Sequence, residues 1–572
     1  MMKALLKVIF AVVFCSAVFG QTLLTVSGRL TSDGQLVRNQ RIQLVSAVET
    51  FTTQTDSEGN YSFDNVPDGR YLLAYSDKRA SVIVDGGQVT IAELAEIVVV
   101  AADAVQPMEQ VSKTVHTIAG QEMRDRADFT LLDSLRTIPG LRVQQLGGFG
   151  RTASIKSRGL RNQDTALLID GIRFRDVAAI TGDASPFLSD LTLTSVSRVE
   201  VLRGAGSSLY GTNAVGGTID FRTPEARRGT HGQIAGAAGG LGLGRFRGLI
   251  SHGVESGRFG LGAGVSRTVY TKGIDGNDDA HNTIFQARID ANPFARTNIS
   301  GRIFFSDADV RLNTSPNTLG VLPPSNAAII DAQPGLNFTT DVDDPDNRQL
   351  SRFFSGQVTV NHALSEQFLF AGYYQGLKTR RNNTNGPLGV GFQPFSGADE
   401  TDLFEGSVHT LNGSFTFAPN SATRTTFGYE HEREDFGNDH ITVNAADNFS
   451  VLAKQSSNTV FIQQMAGFRE GQLQFAGGLR AQFFSLGSPV FAPVSNPTYA
   501  NLDLDDPPTA FTADGSVSYY FRSTRTKIRA HVGNGYRVPS LYERFASFYF
   551  FGSFSSSGNP DLEPERSLAA DV

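Results

Sequence analysis

Residues 199–224 read VEVLRGAGSSLYGTNAVGGTIDFRTP, a glycine-rich stretch that decides which folds this chain can adopt. Its glycines lie between two strand-like runs, at positions 204, 206, 211, 216 and 217. A dinucleotide-binding fingerprint needs glycine at position 209, where leucine stands, and a P-loop needs a Gly-Lys-Ser or Gly-Lys-Thr that this stretch lacks. The stretch therefore does not indicate phosphate binding. It predicts tight turns, because glycine adopts backbone conformations that other residues rarely adopt.

The composition of the whole chain favours β-structure. The 572 residues include 59 glycines and 42 phenylalanines, and only 40% of them are hydrophobic. The mean hydropathy is -0.16, and no internal run approaches the roughly 18 consecutive apolar residues of a membrane helix. A chain of this kind is either soluble or crosses a bilayer as strands. The formal net charge of -7 shows no basic excess, so we expect no nucleic-acid partner.

The first twenty residues, MMKALLKVIFAVVFCSAVFG, indicate a secretory signal peptide, with lysine near the start, an apolar stretch and small residues before the end. Cleavage after Gly20 removes Cys15, the only cysteine, so the mature chain is expected to carry neither a disulfide nor thiol chemistry. A lipoprotein interpretation of Cys15 stays open, although Phe14 is bulky where such processing sites need a small residue.

Residues 21–90 alternate in the manner of a small antiparallel sandwich, with turn residues between short β-branched and aromatic runs. The segments TDSEGNYSF and VPDGRYLL resemble the carboxypeptidase regulatory-like domain. That resemblance implies an immunoglobulin-like β-sandwich without catalysis of its own. We expect a spacer or partner-docking role, with sugar binding as the alternative.

Residues 111–226 contain four ordered blocks, TLLDSLRTIPGLRV, ASIKSRGL, DTALLIDGIRF and the opening glycine-rich stretch preceded by SVSR. In this order they resemble the plug domain of TonB-dependent outer-membrane receptors. The resemblance implies a small α/β plug that is held to the inner wall of a barrel by ion pairs. Arg158, Glu200 and Arg203 occupy the matching positions for these plug–barrel contacts, and ordinary solvated surface is the alternative.

Residues 227–572 predict part of a transmembrane antiparallel β-barrel. In VHTLNGSFTF and TKIRAHV, apolar and polar residues alternate as a strand between lipid and a hydrated lumen requires. Counting such segments gives about thirteen strands, whereas barrels of the resembling family close with about twenty-two. GNGYRVPSLYERF and GNPDLEPERS resemble segments beyond the middle of these barrels. We therefore expect a C-terminally incomplete receptor with an open sheet, and a shorter barrel is the alternative.

The linker at residues 91–110 contains EIVVVAA, which resembles the TonB box. The predicted box consists of Glu96, Ile97, Val98, Val99 and Val100. An exposed β-branched run of this kind pairs edge to edge with a partner's sheet. The resemblance implies that the partner is the TonB–ExbB–ExbD complex. The alternative is that this β-branched run is the last strand of the preceding sandwich and that a plain linker follows it.

The candidate ligand-contacting residues follow from their positions relative to the loops of the family that this chain resembles. Phe149, Arg151 and Arg175 lie in the predicted apical loops of the plug. The sequence suggests one cofactor, a calcium ion. Its oxygen ligands would come from four residues of the loop GIDGNDDAHN: Asp275, Asn277, Asp278 and Asp279. A solvated acidic loop is the alternative, and the resemblance requires no cofactor.

These observations predict a mainly β receptor in the outer membrane of a Gram-negative cell, with its N-terminal domain in the periplasm. The resemblance implies energised import of a large metal chelate or other scarce nutrient, with ferric siderophore ahead of cobalamin and lipid of the outer membrane around the barrel. A passive porin or adhesin is the alternative of another class. The sequence contains no HExxH or GxSxG motif and is not expected to encode an enzyme.

Overall fold

A computed structural model describes most of the chain. The described residues are 23–32, 35–45, 50–67, 69–75, 78–85, 88–91, 95–100, 106–107, 111–145, 148–192, 195–226, 229–254, 258–273, 278–294, 296–312, 318–319, 337–338, 346–386, 399–420, 422–469, 471–492, 504–521, 523–524, 526–550, 553–556 and 558–572. They form two compact units, one before and one after the junction of residues 94 and 95. No helix in these ranges is long and apolar enough to cross a membrane.

The first unit is entirely β in the described residues. Its strands are β1 (Leu23–Arg29), β2 (Thr31–Ser32), β3 (Gln35–Leu36), β4 (Arg41–Val45), β5 (Thr50–Gln54), β6 (Asn60–Pro67), β7 (Gly69–Tyr75), β8 (Lys78–Asp85) and β9 (Gln88–Ile91). β1 pairs with β6, while β5, β4, β7, β8 and β9 pair in that order, all antiparallel. Alternate apolar side chains such as Val26, Leu44 and Leu73 bury into one shared core, as the sandwich pattern predicted.

The second unit begins with a short hairpin of β10 (Ala95–Val98) and β11 (Gln106–Pro107) and continues into an α/β part. The strands of the α/β part are β12 (Thr114–Ala119), β13 (Leu141–Gln145), β14 (Ala153–Ser157), β15 (Thr165–Ile169), β16 (Ile172–Phe174), β17 (Arg198–Arg203) and β18 (Gly217–Arg222). Its helices are α1 (Gly120–Asp125), α2 (Leu131–Leu135) and α3 (Ser207–Tyr210). Five strands form one sheet in the order β12-β17-β18-β15-β16, and β13 pairs with β14.

Local sequence explains why α2 begins where it does. The Thr130 side chain accepts a hydrogen bond from the backbone N–H of Asp133, and the Asp133 side chain accepts one from the backbone N–H of Thr130. This capping box starts the helix. Leu131, Leu132 and Leu135 face a core that inward side chains of the large sheet complete. The α/β part therefore packs directly on that sheet.

The large sheet is an antiparallel meander. Its strands are β19 (Gly229–Gly239), β20 (Leu243–Gly253), β21 (Phe259–Tyr270), β22 (Ala280–Phe294), β23 (Thr297–Arg311), β26 (Arg348–Ala363), β27 (Phe368–Asn385), β28 (Glu400–Asn420), β29 (Thr423–Thr442), β30 (Phe449–Phe468), β31 (Leu473–Leu486), β32 (Val490–Ala492), β33 (Ala510–Phe521), β34 (Thr526–Arg537) and β37 (Glu565–Asp571). Two further hairpins and one helix lie in its connections: β24 (Thr318–Leu319) with β25 (Asn337–Phe338), β35 (Ser547–Phe550) with β36 (Ser553–Ser556), and α4 (Leu541–Phe545).

The sheet has fifteen strands in the described residues, against about thirteen expected from alternation. Strands such as β32, with three residues, and β19, which is rich in glycine and alanine, carry little alternation and are therefore hard to count from sequence. β19 and β37 end the sheet, and within the described ranges they do not pair with each other.

The two faces of the large sheet differ as the alternation predicted. One face exposes apolar side chains such as Phe354, Val358, Tyr374 and Leu411, each more than 40% accessible. The other face buries polar residues such as Gln357 and Thr379. Thr379 donates a hydrogen bond to Asp176 of the α/β part. Connections at one end of the sheet have two to five residues, whereas the other end carries residues 312–347, 386–399 and 538–564. This is the arrangement of a barrel wall with lipid outside.

Two glycines of the opening stretch leave room for charged residues of the large sheet. Gly211 has φ 74° and ψ -144°, and a Cβ atom there would lie 3.2 Å from Arg480 Nη2 on β31. Gly204 has φ +114°, and its Cβ atom would lie 2.6 Å from Asp571 Oδ2 on β37. The glycines therefore combine a backbone conformation that L side chains rarely adopt with close approach to the wall.

Replacing Gly211 with alanine should lower the free energy of unfolding by about 1–3 kcal/mol, because only glycine adopts this conformation without strain. Thermal or denaturant unfolding of the purified chain measures the effect. Gly148→Ala is the matched control, since a Cβ atom at Gly148 meets nothing within 4 Å. Equal stability of the two variants would contradict the close-approach explanation.

Candidate functional site

Buried ion pairs fasten the α/β part to the large sheet, and the densest group lies on β29. The strand period of two places Glu430, Glu432 and Glu434 on one face. Arg173 Nη2 lies 2.8 Å from Glu432 Oε2 and 3.2 Å from Glu430 Oε1. Arg175 Nη2 lies 2.8 Å from Glu432 Oε1 and also contacts Glu434. Arg173 lies in β16 and Arg175 directly follows this strand, and both side chains reach the wall. Phe174 between them packs in the apolar core, where its ring centroid lies 4.9 Å from that of Phe353 on β26.

This cluster balances its charges. Arg480 on β31 lies 2.7 Å from Glu430 Oε1, so three guanidinium groups meet three carboxylates. Burial opposes the charged forms of Arg173 and Arg175, but the glutamates outweigh it and raise the pKa of both. Because desolvation offsets much of the attraction between buried charges, such pairs fix the position of a domain and still allow its separation.

Other ion pairs join the α/β part to further strands of the sheet. They are Lys113–Asp514 at 2.7 Å, Asp170–Arg302 at 2.9 Å, Asp176–Arg381 at 3.0 Å, Arg161–Glu565 and Arg158–Asp571. Arg158, one of the three predicted contact residues, thus reaches β37. Arg203 donates to the carbonyl oxygen of Pro139 at 2.7 Å, inside the α/β part. Glu200 is also engaged within the second unit, away from the wall.

Glu200 holds the backbone of the segment that precedes the α/β part. Its Oε2 atom accepts hydrogen bonds from the backbone N–H groups of Val99 at 2.7 Å and Val100 at 2.8 Å. Its Oε1 atom lies 2.5 Å from Arg198 Nε. The side chain of Glu200 is fully buried. The prediction that Glu200 contacts the barrel therefore needs correction, because its carboxylate is occupied by backbone donors and a neighbouring arginine.

Two further contacts hold Val100 in addition to its hydrogen bond to Glu200. Its side chain is fully buried in an apolar cluster with Val115, Leu168 and Leu202. The hydroxyl of Tyr210 donates to the carbonyl oxygen of Val100 at 3.0 Å. The end of the predicted TonB box is thus docked against the strands of the α/β part.

Two neighbouring carboxylates, those of Glu200 and Asp220, determine the charge at the site where Val99 and Val100 are docked. Burial alone would raise the pKa of Glu200, but Arg198, Arg222 and the two backbone donors lower it below the ordinary value. Asp220, the cross-strand neighbour of Glu200, has its pKa raised to about 7 by burial, against the opposing effect of Arg222 and with the help of Glu200. At neutral pH Glu200 is therefore ionised, whereas Asp220 titrates around neutral pH.

The other residues of the predicted TonB box, Glu96, Ile97 and Val98, precede the docked residues Val99 and Val100. Ile97 and Val98 lie in β10 and pair with Pro107 and Gln106, and Glu96 is in the same strand. The side chains of residues 96–98 lie outside the described part of the structure. The extended conformation agrees with the pairing role that the resemblance implies, and the assignment itself remains a prediction.

The predicted ligand contacts are engaged with the protein itself. Phe149 packs on Tyr270, with ring centroids 5.1 Å apart. Arg151 Nη2 lies 2.9 Å from Asp278 Oδ1. Arg175 belongs to the buried cluster on β29 and does not line an apical loop surface, so the prediction that it contacts ligand needs correction. Its position in sequence suggested a loop, whereas its side chain turns to the wall.

The acidic loop is only partly described. Asp275 and Asn277 lie outside the described residues. Asp278 pairs with Arg151, and Asp279 Oδ1 lies 2.8 Å from Arg311 Nε. In the described ranges no group of three or more acidic, histidine or cysteine side chains is placed to hold a metal ion. Because guanidinium groups already neutralise Asp278 and Asp279, these two residues do not support the calcium hypothesis.

Sequence reasoning missed the glutamates of β29 and the lysine that fixes the start of the α/β part. The segment EHERED at residues 430–435 places a carboxylate at every second position of a predicted strand. Charges on the inward face of a barrel strand need partners, so this pattern carried a usable signal. Lys113 gave no such signal, since it is a single residue in a segment without repeated spacing.

Two family models match the chain. Residues 107–218 match the TonB-dependent Receptor Plug Domain, and residues 281–572 match the family described as TonB dependent receptor-like, beta-barrel. The second match covers more than half of the chain.

Sequence relatives include vitamin B12 transporters. BtuB of Vibrio vulnificus strain CMCP6 is 32% identical over 143 residues, which is 25% of this chain and 23% of the relative. BtuB of strain YJ016 is 33% identical over 136 residues, 24% of this chain and 22% of the relative. The matched segments thus span less than a quarter of the length of either relative.

Solved structures show the same fold at low identity. The ferripyoverdine receptor of the outer membrane of Pseudomonas aeruginosa has a TM-score of 0.63 at 15% identity, over 86% of this chain and 65% of that chain. BauA, the ferric preacinetobactin receptor of Acinetobacter baumannii, has a TM-score of 0.60 at 11% identity, over 82% and 69%. These relatives are transporters and receptors and not enzymes.

Replacing Glu200 with glutamine should speed amide hydrogen exchange at Val99 and Val100 about fivefold, because a charge-assisted hydrogen bond exceeds a neutral one by roughly 1 kcal/mol. Glu225→Gln is the matched control, since Glu225 is 61% exposed and pairs with Arg288 at 3.4 Å. Equal exchange in the two variants would show that Glu200 does not hold this segment.

The pH dependence of the same exchange follows from the lowered pKa of Glu200. A lowered carboxyl pKa contributes stability above the ordinary glutamate value, and that stability is lost as the pH falls through the lowered value. After correction for intrinsic exchange rates, protection of Val99 and Val100 should therefore persist at pH 7 and fall only in acid. Protection that falls between pH 7 and 5 would contradict this assignment.

Proposed function

This chain belongs to the TonB-dependent receptor family, and from that premise we propose that it imports a large, scarce nutrient across the outer membrane with energy supplied through TonB. One observation carries the proposal. A folded domain is fastened to the inner face of the sheet by buried ion pairs, while the segment before it is docked at Val99 and Val100 by Glu200, Tyr210 and an apolar cluster. A domain held in this way blocks diffusion and still offers a segment on which a partner pulls.

The energy has to arrive mechanically, because the outer membrane has no ATP supply beside it. The partner we propose is the TonB–ExbB–ExbD complex, acting on the segment of residues 96–100. Strand pairing between this segment and the partner needs backbone hydrogen bonds and little side-chain specificity. The N-terminal unit, which precedes the segment, would then lie in the periplasm.

A ferric siderophore is the ligand class that we place first. Siderophore receptors are common members of the family that this chain resembles, and the fold neighbours include receptors for ferric chelates. Cobalamin is the second candidate, favoured by the vitamin B12 transporters among the sequence relatives. It stays second because the described half of the acidic loop is neutralised by Arg151 and Arg311.

A passive porin is the alternative of another class. The buried side chains between the α/β part and the sheet argue against an open channel. Leakage of sugar-sized solutes from liposomes that contain the chain alone would favour the porin.

Replacing Val99 with proline should abolish uptake and leave ligand binding unchanged, because proline removes a backbone donor from the pairing segment. Val99→Ala keeps the N–H group and is the matched control. Since Val99 also donates to Glu200, the Glu200→Gln variant separates loss of docking from loss of pairing. Normal uptake by the proline variant would exclude residues 96–100 as the coupling segment.

Binding of ferric siderophores and of cobalamin to the detergent-solubilised receptor, with and without Ca²⁺, tests the ligand class. We expect saturable siderophore binding that does not respond to Ca²⁺. Ca²⁺-dependent cobalamin binding would reverse the order and give the acidic loop a role.

A further inference from the structure

The outward face of β26 and β27 carries three basic side chains next to the apolar surface. On this face Phe354 and Tyr374 are each 46% exposed. The strand period of two puts Arg352 on the same face as Phe354, and puts Lys378 and Arg380 on the same face as Tyr374. The three basic residues form a patch that we call the basic patch.

Register brings like charges together within the basic patch. Arg352 and Arg380 are direct cross-strand partners, and Lys378 lies opposite Phe354. Like charges directly opposite each other on one face of a sheet are destabilising. An anion that accepts hydrogen bonds from both guanidinium groups would relieve that repulsion.

Neighbouring carboxylates neutralise the basic patch only in part. Arg352 lies 2.6 Å from Asp307, whereas the Arg380–Glu405 distance is 3.8 Å. Within the described ranges Lys378 has no ion-pair partner. Arg352 is 59% exposed and Arg380 is 52% exposed, so both guanidinium groups remain accessible. Three cations facing two carboxylates leave an excess positive charge on an outward surface.

The basic patch lies at one edge of the apolar surface. Arg352 is near the start of β26, and Arg380 is near the end of β27, at the end of the sheet with the long connections. Below the patch the outward side chains Phe354, Val358 and Tyr374 are apolar. In a barrel wall, apolar side chains contact acyl chains, and basic side chains at the edge of the belt reach the headgroups.

We propose that the basic patch binds the phosphorylated headgroup of a membrane lipid. The phosphate oxygens accept hydrogen bonds from Arg352 and Arg380 and relieve their mutual repulsion, while Lys378 adds a third charge. The acyl chains lie along Phe354, Val358 and Tyr374. The leaflet concerned is the one on the side of the long connections.

Native mass spectrometry of the full chain, released from a non-ionic detergent, tests this proposal. The probes are phosphatidic acid, phosphatidylcholine with the same acyl chains, and inorganic phosphate. Each basic residue near a lipid surface contributes about 1 kcal/mol, or about a fivefold change in affinity. We expect Arg380→Gln to weaken phosphatidic acid binding about fivefold, and the triple variant R352Q/K378Q/R380Q to weaken it roughly a hundredfold.

Lys454→Gln is the matched control, because Lys454 is 60% exposed on the outward face and pairs with Asp435 at 3.6 Å. It should bind phosphatidic acid as the unmodified chain does, and Arg380→Lys should retain binding if the triple variant fails to fold. Equal binding of phosphatidylcholine, full competition by inorganic phosphate at the same concentration, or a dimer that the triple variant loses would each overturn the proposal. So would unchanged phosphatidic acid binding by Arg380→Gln.

Discussion

A strand that passes between lipid and a packed interior must turn every second side chain to each environment, and the rest of this structure depends on that period of two. It sends Phe354, Val358 and Tyr374 outward. It also sends the three glutamates of β29 inward to one place, where only cationic partners compensate for their burial. Arg173 lies in β16 and Arg175 directly follows it, and both guanidinium groups reach these glutamates.

Different contacts hold the α/β part and the segment that precedes it. Breaking a buried ion pair by removing one partner costs about 3–5 kcal/mol, and several such pairs join this part to the wall. The preceding segment is held by two hydrogen bonds to Glu200 and one from Tyr210, and a hydrogen bond to a charged group contributes about 1.5–3 kcal/mol. Among the described residues, the segment before the α/β part is thus held by fewer polar contacts than the α/β part itself.

Fold similarity extends over more of this protein than sequence similarity does. Relatives at about a third identity match only a quarter of the chain, whereas solved structures at 15% identity or less match more than four fifths of it. A barrel strand needs only alternation and hydrogen bonding, so its sequence drifts freely. A plug needs specific turns and charges, as Gly211 beside Arg173 and Arg480 illustrates.

The sequence by itself determined the features that depend on near neighbours in the chain. Alternation predicted the sandwich strands and the long barrel strands. The glycine-rich stretch predicted tight turns, and Gly204 and Gly211 adopt positive φ there. These properties are local, because strand and helix periods act over a few residues.

Only the tertiary structure decided which charges meet. Arg175 and Glu432 are 257 positions apart, and their contact depends on the register of the large sheet and on how the α/β part lies against it. For that reason Arg175 looked like a loop residue open to ligand, and Glu200 looked like a wall contact, when one is sealed in the interface and the other holds the backbone of Val99 and Val100. Ion-pair partners depend on the distance between charged groups in the folded chain. The spacing of residues in the sequence does not give that distance.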